Sequence, residues 1–536
     1  VSITLARRNT AALGRLFGAQ GLLWPLATPA LVAVALLQRL CGAEIDLDYW
    51  WHLATGRWML DHGRVPAVDP FSFTHFGQSW YAHEWLGELI FALADKIGGY
   101  ALNIALTALV LGGGFYLLWR AARLYGASRR SAAVAVAAAV LFTLQTVAVR
   151  PQVWAFALIM ALMHELVAYE VDARRRLWHL PLLFVLLINI NLLALLGGLL
   201  LAIYALHRAV LCWQARYPSP VLSPKRGEER SAADAVKNVL TVKGGKERSP
   251  ADALKHVLIV GGLSVAALCL NPRGPALLLF AARAYVDAGS PYYSAIQEWR
   301  PLGPTPFNVG LYAVGALALA LIGWAMWRRR ALWPGLPALL FAVMAARSAR
   351  YVPLFGITAA LACAWCVAAA RQERDLALPQ APQLGRMATL ALLLATALAL
   401  LVGRQQQFRI TPDATRNGYF PVAATGWLRR NAPDARLFAE YGWGGYLDEA
   451  LYPRSNVFID GRAEMFGVDL FKSYLDIAGA KPGWQQTLTA DGVNAVLLQP
   501  DSRLAAALAA DPGWRLAFRD AHSVLYTPAA NSRSLH

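Results

Sequence analysis

At 536 residues, with 57% hydrophobic and only 15% charged side chains, the chain is too apolar to be a string of soluble domains. Its formal net charge of +17 would suit a nucleic-acid binder. However, Lys and Arg concentrate in short loops between apolar runs, as membrane topology demands, so no nucleic-acid partner is expected. The five cysteines are scattered. Cys363-Ala-Trp-Cys366 lies inside an apolar run with no second pair, and reads as membrane packing rather than a zinc or redox motif.

Apolar runs recur near 21–40, 101–119, 131–149, 152–169, 177–191, 193–211, 257–270, 309–326, 333–347, 352–370 and 387–403. Several approach the ~20 residues a helix needs to cross ~30 Å of hydrocarbon, and none alternates as a strand would. The pattern predicts an α-helical polytopic membrane protein of about eleven spans. The first run is longer than a signal-peptide core and reads as a retained span. The stretch 276–288 reads as a further re-entrant or interfacial helix.

Basic clusters set the orientation. Arg7, Arg8 and Arg15 precede the first span, and Arg120, Arg123, Arg129 and Arg130 follow the second. Arg174–Arg176, Arg328–Arg330 and Arg371 with Arg374 follow the fourth, eighth and tenth. Alternating spans put all of them on one side, which is then cytoplasmic, with the N-terminus inside and the C-terminal region outside.

The chain divides into a membrane domain, 1–403, and a small extracytoplasmic α/β domain, 404–536. In the latter, 436–440, 456–460, 495–499 and 523–527 read as strands, and 464–476 and 502–510 as helices. Within the membrane domain, 214–256 carries a tandem duplication: Glu229-Arg-Ser-Ala-Ala-Asp-Ala-Val returns as Glu247-Arg-Ser-Pro-Ala-Asp-Ala-Leu. It reads as a flexible basic cytoplasmic insertion that touches lipid headgroups at most.

The loop 41–100 holds the densest chemistry. It begins Asp46-Leu-Asp48-Tyr-Trp-Trp-His52-Leu-Ala-Thr-Gly56-Arg-Trp58 and reaches His83-Glu84-Trp85. A short amphipathic helix is expected at 48–62, and a second, 82–97, running into the next span. Trp and Tyr here also suit an ordinary interfacial belt. Asp46 and Asp48, two apart on an irregular helix exit, can face one point above the bilayer as general base, as ligands for a divalent cation, or both. His52, four residues after Asp48, shares its helical face.

An acid directly after the first span, an interfacial helix, the turn Gly63-Arg-Val-Pro66 and a second interfacial helix together resemble the GT-C glycosyltransferase superfamily. That superfamily includes protein O-mannosyltransferases, aminoarabinose transferases and oligosaccharyltransferases. The D-x-D-x-W-W-H-L-x-T-G-x-W run is similar to that of a bacterial subgroup of GT-C-like membrane proteins. The resemblance implies a sugar donor carried on a polyprenyl phosphate or diphosphate and used on the extracytoplasmic face of a bacterial cytoplasmic membrane. It maps the catalytic acid to Asp48 or Asp46, places Glu84 near the donor-side second helix, and allows a Mg or Mn ion at Asp46 and Asp48.

Further polar groups fall on the same side. Arg347 and Arg350 run against the positive-inside bias; three residues apart, they are expected on one helical face, with Tyr351 beside them, where they can clamp a lipid-linked phosphate. Snorkelling to headgroups is the alternative. Glu298 and Arg300 fall in the outer segment after the seventh span. Asn189 and Asn191 lie at a short outer turn, followed by Leu-Leu-Ala where the resemblance leads one to expect His and Gly. In the tail, Glu440-Tyr-Gly-Trp-Gly-Gly-Tyr446 precedes Asp460-Gly-Arg462. Glycines at 442, 444 and 445 permit unusual backbone shapes that would let Tyr441, Trp443 and Tyr446 line a groove, or the segment is purely structural. It partly resembles the oligosaccharyltransferase Trp-Trp-Asp-Tyr-Gly motif, which implies an acceptor site completed by Asp460 and Arg462.

The expected activity is a membrane glycosyltransferase acting on an acceptor glycan, lipid or protein. A non-catalytic GT-C-like scaffold of an envelope polysaccharide or glycoprotein machinery is the alternative. A transporter fits less well, since no inverted repeat of interrupted spans is visible.

Overall fold

A computed structural model describes residues 46–144, 146–216, 249–287, 296–329, 331–374, 419–454 and 456–529, together with Val32. The predicted spans 21–40 (Val32 apart) and 387–403 lie outside the described residues, as does most of the duplicated insertion. The described chain is mostly helical. Six of its helices are long and apolar enough to cross a membrane.

Helix α1, Tyr49–His62, starts after Asp48 and stops at Gly63, whose amide bonds back to the Met59 carbonyl at 2.8 Å. Helix α2, Trp85–Leu124, is two rods: Gly98 and Gly99 leave helical geometry, and Gly99 takes φ +63°, open cheaply only to glycine. This break separates the amphipathic 85–97 portion from the long apolar one. Helix α3, Arg129–Thr143, is capped by the Ser128 hydroxyl, which accepts the Ser131 amide. Helix α4, Pro151–Val171, opens on a proline whose missing N–H costs nothing in a first turn.

Then follow α5 (Leu180–Ile190), α6 (Ala194–Arg216), α7 (Pro250–Ala267), α8 (Ala276–Asp287), α9 (Pro306–Arg329), α10 (Gly335–Ala345) and α11 (Val352–Arg374). A helix therefore stands at each predicted apolar run between 101 and 370. Helices α5 and α10, at 11 residues each, reach only roughly 16 Å and cannot cross a bilayer alone. The insertion is shorter than expected: residues 250–256 already belong to α7, where the Ala253 carbonyl accepts the Tyr169 hydroxyl and His256 Nε2 accepts the Leu177 amide. Helices α4 and α11 form the centre, with 83% of each apolar window buried, against 22–39% for the other four long helices. The latter leave broad apolar faces outward, as lipid contact requires.

The C-terminal unit contains α12 (Val422–Asn431), β1 (Leu437–Ala439), α13 (Gly444–Leu451), α14 (Ala463–Ala478), α15 (Trp484–Ala490), β2 (Ala495–Leu498), α16 (Arg503–Ala510), β3 (Trp514–Arg519) and β4 (Val524–Pro528). Its sheet runs β1-β2-β4-β3, with β1 parallel to β2 and the other pairs antiparallel. Successive side chains alternate faces. Leu437, Ala495, Leu497 and Leu525 join the core shared with the membrane body, while Phe438, Val496, Leu498, Val524 and Tyr526 pack beneath the unit's own helices. The predicted strand 456–460 is irregular backbone; Val457 bridges singly to Ser72 and Leu437. Strand β3 was not expected from sequence, because its side chains are half-buried or exposed and carry no apolar alternation.

Candidate active site

The site forms where α1, the start of α2, one end of the helical body and the C-terminal unit converge. Asp48 sits at the N-terminus of α1, and its amide donates to Asp46 Oδ1 at 2.9 Å, which turns both carboxylates the same way. Facing them is Arg150, the residue before α4. Its Nε meets Asp46 Oδ1 at 2.6 Å, its Nη2 meets Asp48 Oδ2 at 3.0 Å, and its Nη1 meets Glu298 Oε2 at 2.9 Å. One guanidinium thus holds three carboxylates from distant segments, using the fork geometry an ammonium lacks.

Burial dominates the titration of Asp48 and raises its carboxyl; Arg150 pulls it down, and Asp46 and Glu298 push it up again, leaving it at about 7. Burial also raises Glu298, but Arg150 and Arg350 outweigh it and hold that carboxyl below its usual range. Asp48 alone of the two is therefore poised to exchange a proton near neutrality.

Close approach here depends on Gly461. A β-carbon at that position would collide with Asp48 Oδ1 and with the Trp51 indole. The neighbours of Gly461 explain its rigidity. Arg462, 1% exposed, pairs with Asp460 at 2.5 and 2.8 Å and with Asp69 of the outer loop at 2.8 Å. Its guanidinium lies 4.4 Å from the Trp80 ring centroid. Asp460 and Arg462 thus clamp the C-terminal unit to the outer loop, in the turn that carries Gly461 past Asp48.

A second cluster lies on the α2 side. His52 Nδ1 is 3.1 Å from Glu88 Oε1, and His52 Nε2 is 3.4 Å from Glu84 Oε2. Asn191, from the turn after α5, bonds Glu84 Oε1, and Asn189 accepts the Trp85 indole at 2.7 Å. His83 Nε2 lies 3.8 Å from Glu464 at the start of α14. Burial, then Glu464, drives the Glu84 carboxyl up to about 8 against the pull of Arg350, while burial depresses His52.

The remaining sequence candidates fall as follows. Helix α10 ends at Ala345, and Ser348 caps a new turn, Ala349–Tyr351, so Arg347 and Arg350 do not share a helical face as expected. Arg347 is exposed. Arg350 is half-buried, 5.3 Å over Trp299, and close enough to Glu298, Glu464 and Glu84 to feel their charge. Tyr351 is half-buried beside it, and Arg300 is exposed, its carbonyl accepting the Ala349 amide at 2.8 Å.

Gly442, Gly444 and Gly445 do not adopt left-handed backbone; Gly444 and Gly445 instead admit Asp460 and Trp51 at close range. Trp443 and Tyr446 are 1% and 2% exposed, the indole donating to the Tyr419 carbonyl and Tyr446 packing edge-on against Trp50 at 5.5 Å. Tyr441 alone of the three is half-buried rather than enclosed, near enough to Asp48 to feel its charge.

Sequence reasoning passed over Arg150, Glu464, Asp69 and Glu88. For Arg150 a signal existed: an arginine directly before a long apolar helix, on the side the basic clusters predict to be extracytoplasmic. The resemblance allowed a divalent cation between Asp46 and Asp48. The donor set does not fit one, because Arg150 already places three nitrogens against these acids and Glu298, and an incoming ion would have to displace a guanidinium.

No family model and no curated protein matches the chain. Solved structures do. The chain is similar to the apo oligosaccharyltransferase of Archaeoglobus fulgidus, at 12% identity, TM-score 0.56, and 89% of this chain against 70% of that one. The same archaeal enzyme with an inhibitory peptide and a dolichol-phosphate gives 11%, 0.59, and 89% against 69%. The arabinofuranosyltransferase AftD from Mycobacteria gives 15% and 0.52, covering 94% of this chain and 42% of that one. At such identities the likeness is one of fold: the chain is a multi-pass membrane protein. Its fold is that of the GT-C glycosyltransferases.

Proposed function

We propose that the chain is a membrane glycosyltransferase that moves a sugar from a polyprenyl-linked phosphate or diphosphate to an acceptor on the extracytoplasmic face. The observation that carries this reading is the geometry at Asp48: a carboxyl 24% exposed, fixed by Arg150 at 3.0 Å beside Asp46 and against Gly461 in a GT-C fold, where burial pushes it up to about 7.

Asp48 accepts the proton of an acceptor hydroxyl or amide as that group attacks the anomeric carbon. The bond from carbon to phosphate oxygen breaks, and the polyprenyl phosphate leaves with the electron pair, inverting the anomeric centre. Arg150 keeps Asp48 ionisable and aimed. Arg350 offers charge to the departing phosphate, with the Tyr351 hydroxyl next to it in the chain and the exposed Arg347 as a second cation on the preceding turn. Tyr441 borders the acceptor side. Fixed dipoles and charges of this kind stabilise developing charge without reorganising. The same Arg150 contact favours the scaffold reading to one extent: it neutralises the acids the reaction needs.

The experiment is transfer in proteoliposomes, offering a panel of labelled polyprenyl-phosphate sugars. Asp48→Asn should abolish transfer while donor binding persists. Wild-type rates in that variant would remove Asp48 from the base role, and failure of wild-type protein to bind any donor would favour the scaffold.

A further inference from the structure

Helix α1 presents His52 to the start of α2, where Glu84 precedes the helix and Glu88 follows in its first turn. All three are enclosed, at 2%, 6% and 0% exposed. Among the described residues, every ion pair of these two carboxylates is with a histidine. The nearby guanidiniums of Arg150 and Arg462 are committed to other acids.

A neutral imidazole has one N–H and one lone pair. Both of its ring nitrogens face carboxyl oxygens here, at 3.1 and 3.4 Å, so one of the two contacts needs either a proton on its carboxyl or a cation between the two groups. Glu88 Oε2, fully buried, has no hydrogen-bond partner. One cation would relieve both conflicts.

We propose that His52, Glu84 and Glu88 form a binding site for a first-row divalent cation of the zinc or manganese kind, separate from the Asp46–Arg150–Asp48 cluster. One ligand atom from each residue lies within 4.8 Å of the others. That separation closes onto an ion at roughly 2.0–2.2 Å with small side-chain shifts. Imidazole in the set selects against Mg and Ca, which prefer all-oxygen shells. Asn191, bonded to Glu84 Oε1, orients that ligand as an outer partner does in known metal sites. The ion would tie α1 to the start of α2, and so hold the helix whose first turn positions Asp48. This inference does not rest on the transferase reading.

The test uses full-length protein in detergent, stripped with chelator and titrated with Co²⁺ while its visible d–d absorption is followed. Wild-type protein should take up one equivalent. E88Q and H52N should each lower the affinity by tenfold or more, and D48N should leave it unchanged. No uptake by wild-type protein would show that protons alone satisfy the cluster. Equal uptake by wild-type and E88Q protein, or loss in D48N instead, would place the metal elsewhere. Either result overturns the proposal. E88Q keeps the side-chain shape, and its circular dichroism should match the wild type; Zn²⁺ should raise the melting temperature of the wild type and not that of E88Q.

Discussion

Removing the Arg462 guanidinium should loosen the C-terminal unit from the outer loop. At 1% exposure this side chain makes contacts at 2.5 and 2.8 Å to Asp460 and 2.8 Å to Asp69, both carboxylates being equally enclosed. Solvent screening therefore gives no discount. Arg462→Ala leaves two buried carboxylates uncompensated, which costs about 3–5 kcal/mol, and it removes a cation stacked on Trp80 worth about 0.5–2 kcal/mol.

Arg462→Lys keeps the charge but cannot fork between Asp460 and Asp69, so an intermediate loss is expected. The double variant Asp69→Asn with Arg462→Met removes charge from both sides and should recover part of it. Thermal melting in detergent, followed by limited proteolysis of the 419–529 unit, reads these proteins together with the single variants Asp69→Asn and Arg462→Met that close the cycle. If Arg462→Ala lay within about 0.5 kcal/mol of wild type, or if the cycle showed no coupling between Asp69 and Arg462, the clamp would be wrong.

Transfer activity should rise with pH through about 7, because Asp48 works deprotonated and its carboxyl is raised from 3.8 to about 7; the ionised fraction, and with it the rate, grows about tenfold from pH 6 to 8. Asp46→Asn removes a neighbour that raises this carboxyl and should move the limb to lower pH, whereas Arg150→Ala removes the cation that lowers it and should move the limb up; a profile unmoved by either would break the link. Arg150→Lys should retain one of the three contacts and lose about tenfold or more in transfer rate with little change in donor binding, measured as kcat against KM. Gly461→Ala should push Asp48 and Trp51 aside and lower the rate by about tenfold or more, since small misplacements of catalytic groups are costly; unchanged kinetics would mean that the Gly461 contact does not position the carboxylate.

How much of this was legible beforehand depends on the range of the interaction. Helix α1 was readable because its start at Asp48, its stop at Gly63 and its aromatic run are neighbours in sequence. The Gly98-Gly99 break was readable as a change from amphipathic to uniformly apolar pattern. The aromatic-glycine stretch misled, because Trp443 and Tyr446 present the same residues whether they line a groove or fill a core. Only the packing decides between the two: Trp50 of α1 covers Tyr446, and the Trp443 indole turns inward to donate to the Tyr419 carbonyl. Arg347 and Arg350 likewise share a face only if the helix continues, and the Ser348 cap, a local competitor for backbone amides, ends it.

By itself the sequence determined the apolar helices between 101 and 370, the presence of two helices in the loop 41–100 and the acids that precede the first of them. Each of these follows from periodicity, length and caps within one stretch of chain. That α1 is enclosed all round from Tyr49 to Gly56, rather than amphipathic, came only with the packing. Tertiary structure alone decided what those acids meet. Arg150 lies 104 residues from Asp46 and 148 from Glu298, and nothing local brings a guanidinium to three carboxylates. Packing α4 against the outer loop does, and the same closure sets Gly461 against Asp48 and His52 between Glu84 and Glu88. Charge pairs across such separations are set by the folded geometry, so the residues could be named in advance but their partners could not.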